Sequence, residues 1–206
     1  MKRWVPWLAG VGALCAAGAC YVFTSGGSPL LLASGPGAAG AIPPAAVTRH
    51  DVTAVLGAAL AFEVDPGLPT AAQAPVGGAL SSSSQAELLQ AAEARARAIY
   101  APTSAQLSTA IWGVQNLVSG WPTARVLAGG VEGLKLGAMS VQGGSAEATW
   151  SATLWSVTTA RNATGVWTKP YRQVSAATGT ASFVYKQGEW LVSAWNITYT
   201  PGGGGP

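Results

Sequence analysis

The stretch Phe183-Val184-Tyr185-Lys186-Gln187-Gly188-Glu189-Trp190-Leu191-Val192 decides the fold class. Two runs rich in aromatic and β-branched residues flank a short polar connection, which is typical of paired strands. Gly188 in that connection supplies the positive φ that a tight hairpin turn requires. The stretch therefore predicts two antiparallel strands joined by a short turn.

The same period of two extends upstream, as far as Arg125. We predict strands, separated by glycine-containing turns, over residues 134–141, 147–159, 166–174, 180–186 and 189–199. Trp155 lies five positions after Trp150, and Trp195 lies five positions after Trp190. Regular strands send side chains at odd spacing to opposite faces, so one member of each pair should be in the core.

Two helices are predicted before the strands. Ser84-Gln85-Ala86-Glu87 and Thr103-Ser104-Ala105-Gln106 fit capping boxes, and Pro102 and Gly120 end the helices. Apolar residues recur at helical spacing after each box: Leu88, Ala92, Ala96 and Ile99, then Leu107, Ile111, Val114 and Leu117. Helices followed by antiparallel strands predict an α+β domain over residues 84–200, with two helices packed on a curved sheet of about five strands.

Residues 24–83 have a different composition, since Phe62 is their one aromatic residue and Gly, Pro, Ser and Ala recur. Few large apolar side chains are present to offset the entropy of ordering, so we predict a tether. Apolar residues at helical spacing indicate a short helix over 48–63 that packs on the domain. The Gly-rich tail 201–206 has nothing to pack and is predicted to be disordered.

The N-terminus has the pattern of a membrane anchor. Residues 4–23 carry no charge, and a helix of that length spans the roughly 30 Å hydrocarbon core. Lys2 and Arg3 precede it, so the positive-inside bias predicts a cytoplasmic N-terminus. We therefore expect residues 1–23 to form a cytoplasmic stub and a transmembrane helix in the cell membrane, with the remaining chain extracytoplasmic.

Two alternatives to a retained anchor are a cleaved signal peptide and a lipoprotein acylated at Cys20. Ala17-Gly18-Ala19 before Cys20 has the small residues of a cleavage site. Ala17 is, however, a poor match for the large aliphatic residue usual three places before a lipidated cysteine, and Tyr21-Val22-Phe23 continues the apolar run. The anchor is favoured, and all three alternatives export residues 24–206.

Residue usage restricts the chemistry of the domain. Residues 84–206 contain no His, Cys or Asp, and the chain's one histidine, His50, is in the predicted tether. The domain therefore lacks the side chains for catalysis or metal binding through histidine or cysteine. We expect it to have no catalytic, cofactor-binding or metal-binding residues and no enzyme activity. Glu147 is the remaining candidate for a general base, but Thr149 and Ser151 at alternating positions indicate a solvated face.

Charge and tryptophan content favour a role in assembly. Charged residues make up 9% of the chain and the net charge is +3, which leaves no dense basic patch for nucleic acid. Most tryptophans of the domain are expected to fill a core otherwise rich in Ala and Gly. Exposed tryptophans would anchor a partner, either a second copy or another envelope protein, or would stack on sugars. The candidates are Trp121, Trp155, Trp167 and Trp195.

The capped helix pair, the strand Ala148-Thr149-Trp150-Ser151-Ala152-Thr153-Leu154-Trp155 and the closing hairpin resemble the nuclear-transport-factor-two-like, or cystatin-like, superfamily. With the anchor and tether, the layout is similar to assembly factors of type IV secretion and conjugation channels and to membrane proteins associated with mammalian-cell-entry lipid transporters. The resemblance implies a non-catalytic subunit or assembly factor of an envelope complex. The alternative is a binding module whose Trp-lined cone holds an apolar or sugar ligand.

Overall fold

The computed structural model describes residues 45–68 and 78–201. The predicted anchor 4–23 with Cys20, much of the tether and residues 202–206 of the tail lie outside this part of the chain. Within it, no helix combines the length and the hydropathy needed to span a bilayer. The helices are α1 (Ala45–Val64), α2 (Ser82–Ile99) and α3 (Ala105–Ser119), and the strands are β1 (Ala124–Gln142), β2 (Ser145–Ala160), β3 (Tyr171–Lys186) and β4 (Glu189–Pro201).

The strands form one antiparallel sheet in the order β1-β2-β3-β4, which confirms the α+β class. The sheet has four strands, because the strands predicted over 166–174 and 180–186 are one continuous strand, β3. Its Gly179 is a packing requirement and not a break. A Cβ there would collide with the Asn196 carbonyl and lie 3.0 Å from Cζ2 of Trp150.

Strand β1 begins at Ala124, well before the predicted start at residue 134. Its register with β2 shifts at three places, between Val126 and Ala128, between Glu132 and Lys135, and between Leu136 and Met139. Each shift interrupts the alternation of side chains and bends the strand. These interruptions explain why only residues 134–141 of β1 were predicted as a strand.

A third helix belongs to the folded unit. The helix predicted over 48–63 is present as Ala45–Val64, and Val52, Leu56 and Leu60 on it are fully buried. Its C-terminal end packs so closely on β1 that a Cβ on Gly129 would lie 2.7 Å from the Val64 carbonyl oxygen. Three helices, rather than the predicted two, thus pack on the sheet.

Both helix caps lie one or a few residues from their predicted positions. Ser81, not Ser84, caps α2, since its Oγ accepts a hydrogen bond from Ser84 N at 3.1 Å. Ser104, not Thr103, caps α3 and accepts from Leu107 N at 3.1 Å. Neighbouring hydroxyl residues offer equivalent capping oxygens, so the motif fixes the helix start only approximately.

Candidate interaction surface

The tryptophan pair of β2 lies as predicted. Trp150 is 3% exposed and packs in the core, whereas Trp155 is half-buried on the opposite face of the sheet. The tryptophan pair of β4, Trp190 and Trp195, does not lie as predicted. Phe183 is paired with Val192 but Ser182 with Ala194, so Ser193 is an extra, unpaired residue.

This bulge reverses the alternation beyond it. Trp195 is paired with Ala181 of the helix-covered face, so it shares that face with Trp190, and the prediction of opposite faces is wrong. Its ring meets Tyr100 edge-on with centroids 5.8 Å apart. Trp121, another candidate, is 3% exposed. Trp121 is thus buried, whereas Trp195 is half-buried on the helix-covered face.

Trp155 is held on the outer face by contacts on several sides. Gly130 faces it across the β1–β2 pair, where a Cβ would lie 2.9 Å from the ring. The guanidinium of Arg172 lies 5.1 Å from the ring centroid and donates to Glu132 at 3.3 Å. The indole is therefore fixed in one orientation while part of its surface stays accessible.

The sheet face opposite the helices is lined by small neutral side chains over three strands. Thr149, Thr180 and Asn196 form one cross-strand row, and Ser151, Thr178 and Thr198 form the next. We call these six residues the hydroxyl face. Charged side chains border it on one side, where Lys135 is paired with Ser151 and Glu147 precedes Thr149 along β2. Glu147 is exposed, in agreement with the predicted solvated face.

An alternating stack of arginines and tryptophans lies where β1 begins and β2 ends. The Arg125 guanidinium lies 4.3 Å from the ring centroid of Trp121 and 5.6 Å from that of Trp167, and Arg161 lies 5.5 Å from Trp167. Trp167, the fourth candidate, is half-buried in this stack. Arg125 also donates to the carbonyl of Gly78 at 3.3 Å. The contacts tie the β2–β3 connection to the turn after α3.

A cavity of about 350 Å³ adjoins this stack. Leu117, Trp121 and Arg125 line one side, and residues 65–68 after α1 line another. The indole N–H of Trp121 is buried without a hydrogen-bond partner. Burial lowers the pKa of Arg125, although an arginine so shifted remains a cation at neutral pH. The cavity thus combines a mainly polar lining with apolar side chains such as Leu117.

A glutamate at the end of α1 and a tyrosine directly after α2 influence each other electrostatically. Burial raises the pKa of Glu63. The pKa of Tyr100 is also raised, first by burial and then by the negative charge of Glu63 and by Tyr199. Tyr100 is 1% exposed and its hydroxyl donates to the Ala59 carbonyl at 3.5 Å. Sequence patterns did not identify Glu63, because it falls in the stretch predicted to be a tether.

Trp112 of α3 is 54% exposed, the most exposed tryptophan in the described part of the chain. It was not among the candidates. Helical phase could have identified it, since it falls off the apolar stripe formed by Leu107, Ile111 and Val114. Among residues 45–68 and 78–201, no three His, Cys, Asp or Glu side chains cluster as metal ligands.

No protein-family model matches the chain, and no curated protein sequence matches it either. Two solved structures are similar. The intermembrane-space region of the chloroplast protein ARC6 superposes with a TM-score of 0.52 at 7% identity, covering 77% of this chain and 100% of that one. A putative calcium/calmodulin-dependent protein kinase II association domain from Xanthomonas campestris gives a TM-score of 0.29 at 14% identity, covering 82% and 96%. The first likeness concerns the fold alone.

Proposed function

We propose that the chain is a single-pass membrane protein that presents a non-catalytic, extracytoplasmic interaction domain of the nuclear-transport-factor-two-like type. In this proposal residues 4–23 anchor it in the cell membrane. The domain acts as a subunit or assembly factor of an envelope secretion or transport complex. Its partners are further copies of itself or other envelope proteins.

The hydroxyl face is the observation that carries this proposal. A partner that covers it removes hydroxyl and amide groups from water but no charge from β3 or β4, and buried charges are far more costly than neutral groups that regain hydrogen bonds. Short side chains on this face also allow close approach of a second sheet. A neutral face of this kind is suited to repeated protein–protein contact.

Trp155 supplies the anchor that such an interface needs. Tryptophan and arginine are the residue types in which binding energy concentrates, and Trp155 and Arg172 are already in contact. Their fixed geometry lowers the entropy lost on binding. We therefore place the centre of the interface between Trp155 and the hydroxyl face.

Light scattering on the full-length chain in detergent tests the proposal. We expect a protein mass at least twice the 20.7 kDa of one chain, or a co-purified envelope protein. Thr178→Arg places a charge in the middle of the hydroxyl face and should release the partner, whereas Gln90→Arg on exposed α2 should not. A lone monomer for the unaltered chain, with nothing captured by crosslinking in cells, would end the proposal.

The cavity beside Trp121 supports a second candidate function, the binding of a small ligand. A buried indole N–H without a partner costs free energy that an acceptor atom of a ligand would recover. Polar groups make up more of the cavity lining than apolar ones, and Leu117 and Trp121 add apolar contacts, which suits a sugar-like body. Tryptophan fluorescence titrated with glycans and lipids tests this, with Trp121→Phe as the variant that removes the N–H and keeps a ring. An unchanged spectrum at millimolar ligand contradicts it.

A further inference from the structure

Three of the four large apolar side chains that are most exposed in the described part of the chain lie at one end of the sheet. Val166 is 61% exposed, Tyr171 53% and Leu127 44%. Val166 lies in the connection between β2 and β3, residues 161–170, and Tyr171 opens β3. Leu127 lies at the bulge of β1, opposite the end of β2. We call this end the sheet tip.

The exposed charges of the sheet tip are mainly positive. Arg161 and Lys169 are exposed in the connection, and the Arg172 side chain is 53% exposed. Between Glu147 and Glu189 the sequence contains no acidic residue. Two acids approach from neighbouring elements. Glu132 bridges to Arg172, and Asp65 accepts a hydrogen bond from Gly67 N at 2.8 Å.

The apolar side chains are displayed by an ordered connection. Asn162 Oδ1 accepts from Thr164 N at 3.0 Å and from Val166 N at 2.9 Å, and Asn162 N donates to the Val166 carbonyl at 2.9 Å. Trp167 then forms an isolated β-bridge with Arg161, and its ring packs in the arginine–tryptophan stack. The turn thus directs Val166 outward in a fixed position, so little entropy is lost when it is buried.

We propose that the sheet tip docks on the surface of a bilayer rich in anionic phospholipid. Aromatic and apolar side chains enter the boundary between headgroups and acyl chains, and lysine and arginine beside them attract anionic headgroups. Val166, Leu127 and Tyr171 are the inserting groups. Arg161 and Lys169 are the headgroup contacts. Isolated apolar side chains around a narrow turn fit a fluid lipid surface better than the broad area, about 800 Å² per partner, that a stable protein interface buries.

The length of chain before α1 permits this docking. If residues 4–23 cross the bilayer, residues 24–44 can extend over about 70 Å. Strand β2, from Ser145 to Ala160, spans at most about 55 Å. Either end of the sheet can therefore reach the membrane, and the charge of the sheet tip determines which end does. The inference itself concerns lipid contact and does not require the anchor.

The test uses the full-length chain in lipid nanodiscs, with Cys15 and Cys20 replaced by alanine and an environment-sensitive NBD fluorophore on Val166→Cys. The control label is on Gln142→Cys, the last residue of β1, beside the turn at the opposite end of β2. We expect a blue shift at position 166 in nanodiscs of phosphatidylglycerol mixed with phosphatidylcholine, little shift in phosphatidylcholine alone, and none at position 142. High salt should weaken the shift, because the Debye length falls to about 3 Å at 1 M.

Lys169→Gln removes one cation without touching the stacked arginines and should weaken the lipid contact about fivefold. The double change Arg161→Gln and Lys169→Gln should abolish it, with circular dichroism as the check that the variant folds. No shift at position 166 in anionic nanodiscs overturns the inference. So does an equal shift in phosphatidylcholine, or a shift at position 142 instead. A shift that appears only on adding a purified envelope protein would assign the sheet tip to that protein and overturn the lipid inference as well.

Discussion

The raised pKa of Glu63 makes the stability of the fold depend on pH. It follows Phe62, whose ring meets Tyr100 edge-on with centroids 6.3 Å apart, and burial in this aromatic environment raises its pKa. The folded state therefore favours the protonated carboxyl. A raised pKa contributes stability that is fully present below the unfolded pKa, about 4.3, and that is lost as pH rises through the folded pKa.

Replacing Glu63 by Gln removes this titration and keeps the shape of the side chain. We expect the melting temperature of Glu63→Gln to exceed that of the unaltered chain at about pH 8, with a gap that closes toward about pH 4. Thermal unfolding of both proteins by circular dichroism across this range measures the gap. A gap that is the same at both ends would contradict the assigned burial of the carboxyl.

Gly179 tests the packing of the sheet with a single methyl group. Gly179→Ala places a Cβ against the Asn196 backbone and the Trp150 ring, so we expect a loss of about 1–3 kcal/mol in the free energy of unfolding. Gly113→Ala is the matched control, because a Cβ there meets nothing within 4 Å and an alanine in a helix should stabilise by about 0.5–1 kcal/mol. Urea denaturation of both variants compares them. Equal effects would show that Gly179 is not a close-packing position.

At the scale of elements, helix α1 is as much part of the core as the helices predicted with capping boxes. Leu56→Ala should lower the free energy of unfolding by about 2–5 kcal/mol, since Leu56 is fully buried. Ala54→Ser on the exposed side of the same helix should change it by less than about 0.5 kcal/mol. Chemical denaturation measures both. A negligible effect of Leu56→Ala would mean that α1 does not stabilise the domain.

The elements also show where sequence patterns predict the fold and where they do not. The hairpin turn was predictable, since Gly188 has φ 91° and Gln187 has φ 54°, both in the left-handed region. The face of Trp195 was not, because the bulge at Ser193 arises from pairing with β3 and leaves no mark in the alternation. Gly179 resembled a turn signal, but it lies within β3, where the lack of a Cβ leaves room for the neighbouring Trp150 ring. Local patterns thus predicted element types, while long-range packing determined their registers and ends.

For the candidate site, the sequence identified Trp155 correctly as an outward-facing tryptophan, because β2 is regular from end to end. It could not identify the arginine–tryptophan stack. Arg125 and Trp167 are far apart in the chain and are brought together by the β1–β2 pairing and the return of the β2–β3 connection. Contacts of this kind depend on the topology of the chain, which cannot be inferred from its composition or from the spacing of its residues.

At the scale of the whole molecule, one broad neutral area lies among charged side chains. The hydroxyl face carries no charge. Lys135 and Glu147 border it, and Arg161, Lys169 and Arg172 are exposed at the sheet tip. The low share of charged residues, 9% of the chain, is consistent with a neutral area that a partner can cover. We propose that this area, with Trp155 beside it, is the interaction surface of the protein.

Photocrosslinking in the cells that make the protein tests this central claim most directly. A benzoylphenylalanine placed at Thr180, in the hydroxyl face, should give an adduct with a second copy or with an envelope protein, and Thr178→Arg should abolish that adduct. The same probe at Gln90, on the exposed side of α2, should give none. No adduct at position 180, or equal adducts at positions 180 and 90, would contradict the assignment of the hydroxyl face as the interaction surface.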